Sequence, residues 1–181
     1  MPLTSVGVNR RIVLAAAALV AALGLASCAD GSSNELTSNK IAASVEGVEL
    51  SQDDLAAILS SDLGTELLQA SPIDGFIDAT SARGLISAWV GINSMIAAGV
   101  GADLDRAEIE SSLAQQFAEV WDSAPAPMRV LAIANVVVGE AVQTGAVTTE
   151  ELQAIVSAAD VTVDSRYGWW SGEQFSVLPF G

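Results

Sequence analysis

From Gly84 to Ala102 the chain carries no charged side chain, and any fold it adopts must find a dry place for that stretch. Leu85, Trp89, Ile92 and Ile96 recur at helical spacing, which predicts a helix from about Thr80 to Val100. A helix with no charged face is buried in protein or in a bilayer. Its length approaches the roughly 20 residues that a span needs. Ser87, Asn93, Ser94 and the glycines at 84, 91, 99 and 101 lower both its hydrophobicity and its helix propensity. The interior of a helical protein therefore suits it better than lipid.

A second apolar run, Ile12 to Leu25, follows Arg10-Arg11. At about 14 residues it is short for a membrane span and reads as the core of an export signal. The segment Leu25-Ala26-Ser27-Cys28 is similar to the lipobox of bacterial lipoproteins. That resemblance implies cleavage after Ser27 and a diacylglycerol on the thiol of Cys28, which anchors a protein without a transmembrane helix. A plain secretory signal with an incidental cysteine is the alternative. Asn9-Arg10-Arg11-Ile12-Val13-Leu14 also resembles a twin-arginine motif, and the general secretory route fits equally well. The chain thus divides into a signal peptide (1–27), a lipidated, flexible Gly/Ser tether (28–39) and a folded domain (40–181).

All 22 acidic residues lie beyond Cys28, together with 5 of the 7 basic ones, so the mature part balances at −17. A nucleic-acid binder needs clustered Lys and Arg, and that class is excluded. The sequence has no histidine, which removes Ser-His-Asp and Cys-His nucleophiles, imidazole bases and His-ligated metals. One cysteine allows neither an internal disulfide nor a thiolate cluster. At 51% hydrophobic the chain can nevertheless bury a core.

Local patterns outline that core. Ile41, Ala43 and Val45 alternate, Gly47 supplies a turn, and Val48 and Leu50 resume, as in a β-hairpin. Ser51 with Asp54 caps a helix bearing Leu55, Ile58 and Leu59, which Leu63, Leu67 and Leu68 would extend. Ser71-Pro72 and Asp74-Gly75 mark a loop. Asp105 with Glu108 opens an amphipathic helix through Ile109, Leu113, Phe117, Val120 and Trp121. Pro125 and Pro127 end it and begin the next, Met128 to Val142, whose apolar faces predict a central position. Thr148 with Glu151 caps a last helix, and Val161 and Val163 alternate as a strand. The expected fold class is mostly α, with short strands at both ends of the domain.

Candidate chemistry is sparse. Asp103, Asp105, Glu108 and Glu110 are grouped, but an EF-hand loop counted from Asp103 would need glycine and glutamate where Glu108 and Ala114 stand. Carboxylates in the first turn of a helix, favoured by its dipole, account for the group without a metal. No phosphate loop and no nucleophile elbow occurs, so neither an enzyme nor a cofactor is expected. Five of the nine aromatics, Tyr167, Trp169, Trp170, Phe175 and Phe180, fall in the last 15 residues. Such a cluster completes a core or offers an apolar contact surface, core completion being the simpler reading. Arg166 is a candidate to stack on one of these rings or to pair with a carboxylate.

Two segments carry a family resemblance. Residues 43–55, Ala-Ser-Val-Glu-Gly-Val-Glu-Leu-Ser-Gln-Asp-Asp-Leu, resemble the opening of SurA-like and PrsA-like chaperones: strand, Gly turn, short apolar stretch, capped helix. Near the end, Asp164, Arg166, Tyr167, Gly168 and Trp170 match the closing "DPRYGxW" pattern of actinobacterial lipoproteins with a SurA N-terminal domain, Ser165 standing where the pattern has proline. The resemblance implies a helical domain whose first and last strands pair and whose helices cradle unfolded chains. Many relatives insert a parvulin isomerase domain before the final helix and strand. Residues 124–148 leave no room for one, and no isomerase activity is expected.

The expected function is that of a membrane-anchored extracytoplasmic holdase for unfolded or secreted polypeptides. Its candidate contacts are Trp89, Trp121, Arg166, Tyr167, Trp169 and Trp170, around a groove between helices. The alternative is an envelope scaffold that binds one dedicated partner through the aromatic tail.

Overall fold

The computed structural model describes residues 41–68 and 78–180. Ser27, Cys28, the leader, the tether and the loop expected at Ser71-Pro72 and Asp74-Gly75 lie outside the described residues. Strands β1 (Ile41–Val45) and β2 (Val48–Ser51) form the expected hairpin. Glu46 and Gly47 both take positive φ, 50° and 78°, as a type I′ turn requires. Strand β3 (Val161–Val163) pairs antiparallel with the other edge of β1, Ala43 opposite Val163, giving the order β2-β1-β3. The fold is mostly α, with short strands from the two ends of the domain paired.

Helix α1 (Gln52–Ser60) starts where the Ser51 hydroxyl accepts the Asp54 N–H at 3.0 Å, and it buries Leu55, Ile58 and Leu59. It does not run on through Leu63. Ser61 turns extended, and its hydroxyl accepts the Gly64 N–H at 2.9 Å, starting α2 (Asp62–Leu68) afresh. The uncharged stretch forms α3 (Ala79–Ala97), capped by Asp78, and ends where Gly99 and Gly101 take positive φ. No helix among the described residues is long and apolar enough to cross a membrane.

Helix α4 (Arg106–Gln116) is capped by Asp105, whose carboxylate accepts the Ala107 and Glu108 N–H groups. It stops short of the expected Trp121. The Phe117 carbonyl accepts the N–H groups of both Val120 and Trp121, so the chain coils through turns and drives Trp121 into the core from a loop. The helix is already closed at Phe117, which leaves helical geometry, and Pro125 then restricts only Ala124, the last residue before α5. Helix α5 (Ala126–Gln143) follows with Pro127 in its first turn. Helix α6 (Thr149–Ala158) has both halves of the Thr148–Glu151 capping box.

The hub of the molecule is α3, which packs against α1, α5, α6 and β1, as well as a C-terminal strand described next. Helix α5, expected at the centre, touches α1, α3 and α4. The reason lies in small residues: Ala82, Ser87, Ala88, Gly91 and Ser94 on α3 are all buried and let neighbours approach from every side. The Ser87 and Ser94 hydroxyls donate to the Arg83 and Val90 carbonyls, so burying them leaves no donor unmet.

Candidate functional site

The last seventeen described residues are not a loose tail. Asp164 opens a turn closed by the Tyr167 N–H to its carbonyl at 2.9 Å. Proline at the second position would favour such a turn, but Ser165 stands there. The Asp164 carboxylate supplies the missing constraint by accepting the Arg166 N–H at 2.9 Å. The same carboxylate takes a two-pronged bond from the guanidinium, Nε at 3.0 Å and Nη2 at 2.9 Å. Arg166 also sits 5.9 Å from the Tyr167 ring centroid, so both expected roles of this side chain are realised together. Its pKa is raised, chiefly by the Asp164 bond.

Beyond this knot, β4 (Trp169–Ser171) and β5 (Ser176–Leu178) form a second hairpin, which the sequence reading did not anticipate. Trp169-Trp170-Ser171 and Ser176-Val177-Leu178 lack the apolar-polar alternation that marks Val161–Val163; the signals present are Gly168 and Gly172 around the first strand. The hairpin is bolted to α3: the Val177 N–H donates to the Ser87 hydroxyl oxygen at 2.9 Å. Burial then sorts the aromatics. Tyr167 (6% exposed) joins the core with Val177, and Trp170 and Phe175 pack partly against it. The Tyr167 hydroxyl has no hydrogen-bond partner, and burial pushes its pKa up. Trp169 and Phe180, 47% and 63% exposed, face water. Trp169 lies opposite Leu178 across the hairpin, and Phe180 follows two residues beyond the end of β5.

The other expected contacts are elsewhere. Trp89 (7% exposed) and Trp121 (4%) are core side chains, and as placed they present no surface to a partner. A concavity between helices exists at the ends of α3 and α6, but alanines line it and no aromatic does. The candidate surface therefore contracts to the C-terminal hairpin, with Trp169 and Phe180 as its accessible groups and Arg166, Tyr167 and Trp170 as their support. Phe180 was within the aromatic cluster but not among the expected contacts; its place at the chain end, past Pro179, is the signal that could have found it. Asp105 acts as a helix cap within the carboxylate group.

The chain matches no protein-family model, and no curated protein or solved structure is significantly similar to it.

Proposed function

We propose that this protein is a lipid-anchored interaction module of the extracytoplasmic membrane face that binds a dedicated polypeptide partner through its C-terminal hairpin. The lipobox at Cys28 supports the anchoring, and the SurA-like opening and closing motifs support a role in handling polypeptides. One observation carries the binding reading: Trp169 stays exposed on a hairpin that Val177 and the Ser87 bond fasten to the core, with buried Tyr167 just before it and exposed Phe180 just after it. Aromatics on a rigid mount are effective anchors because little conformational entropy is lost on binding. The net charge of the mature part selects partners with basic segments.

A second reading, a holdase for many unfolded chains, is supported by Ile41, Val48 and Val130, which are also exposed. A photo-crosslinking residue placed at position 169 or 180 of the full chain, in its own membrane, separates the two. A single dominant polypeptide adduct, absent when the crosslinker replaces exposed Glu110, is expected. A ladder of unrelated adducts would favour the holdase, and no adduct at either position would overturn both.

A further inference from the structure

The concavity at the ends of α3 and α6 has its own chemistry. It is about 300 Å³ in volume and is lined by Glu46, Ser94, Ala97, Ala98, Ile155, Ala158 and Ala159. At the small end of ligand pockets, that volume suits one slender group. Ala97 ends α3 and Ala158 ends α6, so the C-termini of two helices converge on the same space. Each brings the negative end of its dipole, and at the end of α3 the Ser94, Met95 and Ile96 carbonyls already accept one N–H each, from Ala98, Val100 and Gly99, which leaves a carbonyl its second lone pair for a ligand. Neither helix has a basic residue in its last turn to answer that field.

Glu46 adds a full negative charge at the rim. It sits in the β1–β2 turn, with its N–H donated to the Asp160 carbonyl at 3.1 Å and its Oε1 accepting the Asp160 N–H at 2.9 Å. The carboxylate is thus held in place before any ligand arrives. No cation pairs with it among the described residues, whose ion pair is Arg166–Asp164, and no basic side chain lines the pocket. Besides Glu46 and Ser94, the lining residues are four alanines and Ile155.

We infer that this pocket binds a primary ammonium group carried on an unbranched apolar stem. The stem lies against the alanines, and the three N–H donors of the ammonium meet the Glu46 carboxylate and the helix-end carbonyls. A lysine side chain of a bound polypeptide and a free diamine share this chemistry. The site shares no lining residue with the C-terminal hairpin and does not depend on the polypeptide-binding reading.

The test is titration of the full chain in detergent micelles, followed by amide NMR, with three probes: Nα-acetyl-lysine methylamide, cadaverine and hexanoate. Shifts at Ala97, Ala98, Ala158 and Ala159 with either amine and not with hexanoate are expected. Response to the lysine amide assigns the site to a polypeptide side chain, and response to cadaverine alone assigns it to a soluble amine. Glu46→Gln keeps an acceptor for the Asp160 N–H and removes only the charge; affinity should drop about threefold or more. Ala158→Leu fills the pocket and should abolish the shifts even if Glu46→Gln folds poorly. No amine-specific shift at these four residues, or full affinity in Glu46→Gln, would overturn the proposal.

Discussion

Gly168 takes a φ of 128°, and a Cβ there would run into the Leu178 carbonyl. Two costs add, backbone strain and a clash with the neighbouring strand, so Gly168→Ala should destabilise the protein by about 2–4 kcal/mol. Denaturant unfolding followed by tryptophan fluorescence measures this. Tyr167 makes a second residue-scale prediction. It is the single tyrosine, and burial first, then Asp164, raises its pKa above 10.0 against the lowering effect of Arg166. The unfolded chain therefore releases this proton at lower pH than the native one. Stability should hold up to about pH 10 and fall above it, as the unfolded state alone ionises. Tyr167→Phe should remove that component of the alkaline fall and, by deleting an unpaired buried hydroxyl, raise neutral-pH stability by up to about 1 kcal/mol. Melting temperatures from pH 8 to 11 on both proteins would show it. The turn was not legible, since Ser165 stands where the resembling pattern has proline; that the Asp164 carboxylate would hold it instead leaves no periodic trace, because the bond runs from side chain to backbone.

Elements were legible where a cap or a repeating pattern marked them. The capped starts at Ser51, Asp105 and Thr148 and the long apolar runs of α3 and α5 were all legible, since a cap is a local bond and a 3.6-residue period needs several turns to show. The break at Ser61 and the early end of α4 were not, because Leu63 and Trp121 keep the helical spacing while reaching the core from other geometry. The C-terminal hairpin was missed because its strands, WWS and SVL, do not alternate. Its attachment yields a prediction: Ser87→Ala removes the acceptor of the buried Val177 N–H and should cost about 1–3 kcal/mol. Hydrogen exchange should quicken across β4 and β5 while α5 keeps its protection. Trp169→Ala with the crosslinker at position 180, or Phe180→Ala with it at position 169, should sharply reduce the adduct while the fold is kept, because neither side chain belongs to the core cluster. Trp121→Ala, by contrast, should cost about 3–5 kcal/mol through the cavity it leaves.

At the scale of the whole molecule, charge and wiring matter more than any contact. With 22 acidic side chains, partner capture should weaken as salt rises, since the screening length falls from about 10 Å at 0.1 M to about 3 Å at 1 M. Binding that strengthened instead would mean the hairpin works by apolar contact alone. The sheet carries a different lesson. β1 is its middle strand, and the neighbour on one side comes from residues 161–163. A ribosome makes the centre of this sheet more than a hundred residues before one of its edges. Until residues 161–163 are released, β1 has a whole side of bare amides and carbonyls, open to any passing strand. A nascent or truncated copy is thus the form most in need of a chaperone, whatever the finished protein does for others.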